Sequence, residues 1–265
     1  MSPINDSLQS LFSLKNKVCV ITGGSRGLGY YMAKAFLQAG AARVYITARK
    51  AEACEQAAQE LSAFGECVAV PGNISSLEEI AALVSLLNER EQAVHVLVNN
   101  AGVGWLEGLE AFSEKGWDKV MDLNVKAPFF LIQQLLPLLR AGASADNTAS
   151  VINIGSIAGI CGATDTFSYA PSKAAIHQLT RNLAAELAED FIRVNALAPG
   201  RFFTAMTEYA RVDEAAYQAE IAGIPQHRWG EEQDIIGPAL MFASNAGAHI
   251  TGQILAVDGG TTLVR

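Results

Sequence analysis

The chain has 265 residues, 50% of them hydrophobic and 17% charged, and a net charge of −8. That is the size of one large α/β domain with ample material for a core. So acidic a chain lacks the basic field that a nucleic-acid or anionic-membrane surface needs. Cys19, Cys54, Cys67 and Cys161 lie far apart without a C-x-x-C pair, and buried free thiols in a reducing cytosol are expected. The first fourteen residues have neither the basic nor the apolar region of a signal peptide. The uncharged run from Asn147 to Thr164 is too rich in Gly, Ser, Thr and Asn to span a membrane. A cytoplasmic protein is expected, with no membrane or nucleic-acid partner.

Val18 to Ile21 is an apolar run without alternation, the pattern of a central parallel strand buried on both faces. It breaks over Thr22-Gly23-Gly24-Ser25-Arg26-Gly27-Leu28-Gly29 into a helix near Leu28–Gly40. Unpaired N–H groups at a helix start, reached through glycines, make an anion site, although a tight βα turn would use the same residues. Arg43 to Ala48 forms a second strand with Arg49-Lys50 directly after it. An acid about twenty positions past the glycines takes ribose hydroxyls in dinucleotide folds, whereas basic residues there suit a 2′-phosphate. Cys54, Ala57, Ala58 and Leu61 mark one amphipathic helix; Ile80, Leu83, Val84 and Leu87 mark another. Between them lies a third strand, about Cys67 to Val70, ending at Asn73-Ile74.

Val94 to Val98 is the fourth strand and runs into Asn99-Asn100-Ala101-Gly102. Trp117 to Arg140 reads as one long helix with Ile132, Leu135, Leu136 and Leu139 on one stripe and Pro128 within it. Residues 141–149 form a small polar loop. Val151 to Ile154 is the fifth strand and delivers Gly155-Ser156, with Tyr169 thirteen residues after that serine and Lys173 four beyond. A helix puts the last two on one face. Tyr30 and Lys34 share that spacing, and no role is assigned to them. His177 continues the Tyr169 face but sits among Ile176, Leu179 and Leu183, as a packed helix histidine would. His95, His227 and His249 have no metal-ligand spacing, so no metal is expected. Ile192 to Leu197 is a sixth strand, followed by Pro199-Gly200-Arg201-Phe202-Phe203-Thr204. A last helix, with Ile236, Ala239, Leu240 and Ala243 inward, leads to Gly252–Val257 and Asp258-Gly259-Gly260.

The T-G-x3-G-x-G loop, N-N-A-G, and a serine followed by Tyr-x-x-x-Lys, in this order over about residues 14–262, resemble the short-chain dehydrogenase/reductase family. Within it the chain is similar to bacterial NADPH-dependent 3-oxoacyl reductases, in particular the rhamnolipid-pathway branch, through R-V-x-I-x-A-R, I-Q-Q-L-L-P-L-L and A-P-G-R-F. The resemblance implies a Rossmann-like α/β fold, a doubly wound parallel sheet of about seven strands with helices on both faces, in a single domain. Residues 1–14 would be an N-terminal extension and about 203–227 a lid over substrate, with Phe202, Phe203, Met206 and Tyr209 offering apolar walls. It implies catalytic roles for Asn124, Ser156, Tyr169 and Lys173. NADPH or NADP would be held by Gly23, Ser25, Arg26, Gly27, Leu28 and Gly29, by Arg49, Asn73 and Ile74, and by Asn100, Ala101 and Gly102. Tyr169, Lys173, Pro199, Gly200, Phe202 and Thr204 would complete the cofactor contacts.

Ala48 stands where NAD-dependent relatives have an acid, and Arg26 and Arg49 match the NADP pattern. Asn73 departs from the usual Asp beside adenine. Pro128 has no N–H, so the Asn124 carbonyl loses its helical partner and is expected to bind a relay water where the helix kinks. Tyr169 would be the acid/base, with Lys173⁺ expected to lower its pKa, and Ser156 would hydrogen-bond the substrate oxygen. The expected partner is a small ketone or a 3-oxoacyl thioester. Phe130 and Ala185 replace the arginines that dock an acidic carrier protein. A sugar or polyol dehydrogenase is the enzymatic alternative, and a nucleotide-sensing regulator the non-enzymatic one. The resemblance implies that the long helix and the next pair across a two-fold axis, and so a homodimer or homotetramer.

Overall fold

The computed structural model describes residues 8–162, 164–204 and 213–264. Seven strands form one sheet in the order β3-β2-β1-β4-β5-β6-β7: β1 (Val18–Thr22), β2 (Arg43–Ala48), β3 (Cys67–Pro71), β4 (Val96–Asn99), β5 (Ala149–Ile154), β6 (Ile192–Pro199) and β7 (Ile254–Val257). Every neighbouring pair is parallel. The uninterrupted apolar runs follow from this. β1, β5 and β6 are buried along their whole length, whereas the edge strands β3 and β7 are only partly covered.

Helices cover both faces. α1 (Gly27–Gln38), α2 (Ala51–Leu61) and α8 (Glu232–Ala243) pack one side, enclosing Cys19, Ile21, Ile46 and Val98. On the other side α3 (Leu77–Arg90), α5 (Ala127–Ala141) and α6 (Tyr169–Leu187) enclose Val20, Leu97 and Val151. The buried stripes of α2 and α3 consist of the eight residues their periodicity predicts. Each fully buried Leu or Ile among them contributes roughly 1.5–3 kcal/mol. In α8 the buried residues are Ile235, Ala239, Phe242 and Ala243. The expected Ile236 and Leu240 are partly buried against the same core.

The expected long helix is continuous in path but not in pitch. α4 (Glu114–Met121) joins α5 through a π turn at Asp122–Lys126, where the Ala127 N–H donates to the Asp122 carbonyl, five residues back. All four cysteines are free, yet only Cys19 and Cys54 are buried, while Cys67 and Cys161 are partly exposed. Among the described residues no helix is long and apolar enough to cross a membrane, and no cluster of metal-ligating side chains occurs. β1 lies between β2 and β4, so connections leave in opposite directions at the β1/β4 boundary. In an open α/β sheet that places the ligand crevice outside the carboxyl ends of these strands.

Candidate active site

The glycine loop is held from behind. The Thr22 hydroxyl accepts the N–H groups of Asn100 (3.0 Å) and Ala101 (3.1 Å), and the Asn100 amide donates to the carbonyls of Thr22 (2.9 Å) and Gly23 (3.0 Å). The Asn100 side chain therefore secures the loop. Gly23 has φ +67°, and a Cβ on Gly29 would lie 2.4 Å from the Gly23 carbonyl oxygen, so neither position admits a larger residue without a shift of backbone. α1 then starts at Gly27 with no side-chain cap from Arg26 and no acid in its first turn. Such a start, approached by bare backbone, fits a dinucleotide's phosphates. Arg26 and Arg49 are exposed on this side. Ile74 is buried. The Asn73 side-chain oxygen Oδ1 accepts from the Ser75 hydroxyl at 2.9 Å, so this residue makes a local turn.

At the end of β5, Ser156 is extended (φ −169°) and its Oγ accepts the Ala158 N–H at 3.1 Å. Tyr169, the half-buried first residue of α6, is hydrogen-bonded to Ser156. One turn on, Lys173 is buried, donates to the Ile154 carbonyl at 2.7 Å and has its Nζ 5.6 Å from the Tyr169 ring centre. Tyr169 and Lys173 thus lie on one face of α6, as their spacing predicts, with Ser156 beside the phenol. Asn124 occupies the π turn with its amide fully engaged. Its oxygen accepts the Val103 N–H (2.9 Å) and its nitrogen donates to the Val103 carbonyl and the Ser172 hydroxyl, both at 3.0 Å. Ser172 donates in turn to the Tyr169 carbonyl at 2.7 Å. The π turn is thus tied to the first turn of α6. Ser172 escaped the sequence reading because an interior helix serine carries no signal of its own.

The charge balance at Tyr169 differs from the expectation. Burial raises the phenol above its ordinary value, and only the Ser156 hydrogen bond and the positive charge of Arg201 oppose this. Burial also brings Lys173 down to about 8, the desolvation cost of a charge.

At the end of β6, Gly200 packs on Asp258, where a Cβ would lie 2.9 Å from the Asp258 Cα. Pro199 ends that strand, buried Phe202 covers Gly230, and the Thr204 side chain stands 3.5 Å from where a Gly27 Cβ would point. The β6 loop and the glycine loop therefore touch. Phe203 faces an aromatic cluster, 4.9 Å from Trp229 and 5.7 Å from Tyr217 between ring centres. Tyr217 lies on α7 (Glu214–Ile221). Met206 and Tyr209 fall outside the described residues. Tyr30 and Lys34 do not form a site: Tyr30 donates to Glu60 and Lys34 pairs with Glu232. His177 is packed so tightly that a Cβ on Gly155 would lie 2.0 Å from its Nε2, and burial takes its pKa down to about 4.

Comparison with known proteins adds the following. A family model described as enoyl-(acyl carrier protein) reductase matches residues 23–262. The chain is 48% identical over 250 residues to the rhamnolipids biosynthesis 3-oxoacyl-[acyl-carrier-protein] reductase of Pseudomonas aeruginosa, covering 94% of this chain and 97% of that one. It is 36% identical over 250 residues to a 2-dehydro-3-deoxy-D-gluconate 5-dehydrogenase of Dickeya dadantii, covering 94% and 96%. The Pseudomonas aeruginosa RhlG/NADP active-site complex superposes with a TM-score of 0.93 at 47% identity, covering 96% and 99% of the two chains.

Proposed function

The chain belongs to the short-chain dehydrogenase/reductase family, and on that premise we propose that it is an NADPH-dependent reductase converting the ketone of a 3-oxoacyl thioester to a secondary alcohol. The observation that carries this reading is the meeting of Ser156, Tyr169 and Lys173 at the carboxyl end of β5, beside a glycine loop built for phosphates. The 48% identical relative supports the thioester, and the NADP complex of the similar structure supports the cofactor. When bound, NADPH would supply the hydride for the carbonyl carbon. The Ser156 hydroxyl hydrogen-bonds the carbonyl oxygen, and the Tyr169 phenol gives its proton to that oxygen as negative charge grows there. Lys173 and Asn124 hold the pocket around them, and the Asn124 carbonyl, in the π turn, offers a place for a relay water. Arg26 and Arg49 take the 2′-phosphate. The segment 203–227 acts as a substrate lid on a single domain. Phe130 and Ala185 in place of docking arginines, and the acidic surface, argue against docking of an acidic carrier protein, which leaves a coenzyme A thioester or a free ketone as substrate. Keto sugar acids are the second reading, favoured by the dehydrogenase relative.

Nicotinamide absorbance, followed with acetoacetyl-CoA, longer 3-oxoacyl thioesters, keto sugar acids and simple ketones, tests the proposal. Turnover of thioesters with NADPH preferred over NADH is the expected result. Binding of NADPH without turnover of any thioester would overturn the substrate assignment. Arg49→Ala is expected to raise the KM for NADPH about ten- to a hundredfold and leave NADH unaffected, the effect of one charge-assisted contact.

We also propose that the protein is a homodimer or homotetramer paired through the long helix and α6. Trp117 and Phe129, both exposed on that helix, support a covered face. Light scattering at a single protomer mass would overturn it.

A further inference from the structure

Arg201 was not among the residues expected at the site. It follows Gly200 at the end of β6, and its backbone is fixed where its carbonyl accepts the Gly230 N–H at 2.8 Å. Its guanidinium meets Glu220 of α7 through Nε at 3.2 Å, with the arginine side chain 50% exposed. It also lines a cleft of about 330 Å³ together with Gln226, Arg228, Asp258 and Gly260. The other charges there are already committed. Arg228 is held bidentately by Asp234 (2.6 and 2.9 Å), and the Asp258 carboxylate accepts the N–H groups of Gly260 and Thr262.

We propose that Arg201 is a specificity-determining residue that receives an anionic group of the substrate, exchanging Glu220 for it. The arginine of this pair is half exposed and screened by salt, while Glu220 is 24% exposed, so the guanidinium can turn from one anion to another at modest cost, and its fork fits the oxygens of a carboxylate or phosphate. The site lies near the chemistry: β6 runs beside β5, whose Gly155 N–H, one residue before Ser156, donates to the Leu197 carbonyl at 2.7 Å, so both strands deliver their ends to one side, and the Arg201 charge acts on the Tyr169 phenol. The exchange moves a carboxylate of α7 away from Arg201, so seating the substrate anion alters how α7 is held. Two substrate classes carry such an anion: a keto acid through its carboxylate, and a coenzyme A thioester through its phosphates. The inference rests on the reductase reading above.

The test compares Arg201→Gln, Arg201→Lys and Glu220→Gln with wild type on two pairs of probes that differ in charge. One pair is acetoacetyl-CoA and acetoacetyl-N-acetylcysteamine, which lacks the phosphates. The other is 5-keto-D-gluconate and its methyl ester. Each is used as substrate and, where not turned over, as competitive inhibitor. In Arg201→Gln the charged member of one pair is expected to lose about ten- to a hundredfold more in kcat/KM, or in inhibition constant, than the neutral member. The pair that responds identifies the anion. Arg201→Lys should restore part of the loss, and Glu220→Gln should favour the charged member by removing its competitor. The apparent pKa of the phenol in the pH–rate profile should rise in Arg201→Gln. Should that variant fail to fold, the lysine and Glu220 variants carry the same contrast. Equal effects on charged and neutral members of both pairs would overturn the inference. Turnover of the neutral thioester by wild type reports on the reductase reading separately.

Discussion

Tyr169→Phe is expected to lower reduction turnover by about 10²–10⁴-fold, the contribution of a positioned general acid, while NADPH binding persists. The substitution removes one hydroxyl and keeps the half-buried ring. The contact that Ser172 makes to residue 169 goes to its main-chain carbonyl and survives. Only the proton and the hydrogen bond to Ser156 are lost. Because burial raises the phenol's pKa, the group stays protonated at neutral pH, the state a reductase's acid requires. Reduction should therefore be flat on the acid side of that pKa and fall as pH rises through it. Stopped absorbance assays alongside fluorescence titration with NADPH check both halves. Near-wild-type turnover would remove Tyr169 from its role.

Lys173→Met is expected to abolish most turnover and yet stabilise the protein at pH 7. The lysine is 5% exposed, and burial lowers its pKa from 10.5 to about 8. A folded value below the unfolded one means the unfolded chain binds the proton more tightly. The penalty is present in full below pH 8 and fades as pH approaches 10.5. It amounts to about 3 kcal/mol, against which the lost bond to the Ile154 carbonyl counts about 1 kcal/mol. A net gain of about 2 kcal/mol corresponds to a rise in Tm of roughly 4–8 °C for a chain of this size. Calorimetry at pH 7 and pH 10 should show the gain shrinking at the higher pH. A lower Tm at pH 7 would contradict the account.

Most of the sheet was legible because a central strand buried on both faces leaves an apolar run, as in β1 and β4, whereas the partly covered edge strand β7 was expected from the family resemblance. The stripes of α2 and α3 were equally plain, since their outer faces are polar. α8 was not. Ile235, Ile236, Leu240, Met241 and Phe242 make it apolar nearly all round, and periodicity then does not choose a face. Pro128 marked the irregular turn at Asn124, because a missing N–H is a local property. Where side chains point across the sheet is not. The Asn100 amide, Ser172 and Arg201 take their partners from segments far away in the chain, and no spacing encodes that. The same holds for the electrostatics of Tyr169. A lysine four residues away suggested a depressed pKa, but depth of burial is set by the whole fold.

The clamp on the glycine loop has a consequence for how the molecule is made. Thr22 and Asn100 are separated by 78 positions. During synthesis β1, α1, β2, α2 and β3 emerge with their helices before β4 exists, and they can assemble through neighbouring βα contacts. The loop between β1 and α1 meanwhile lacks the amide that holds the Thr22 and Gly23 carbonyls. Parallel pairing over such separations is slow, because the chain entropy is lost before the contact forms. The glycine loop is therefore secured only after β4 has emerged, and a nascent chain halted before Asn100 has the strand and the helix but no amide to hold the turn between them.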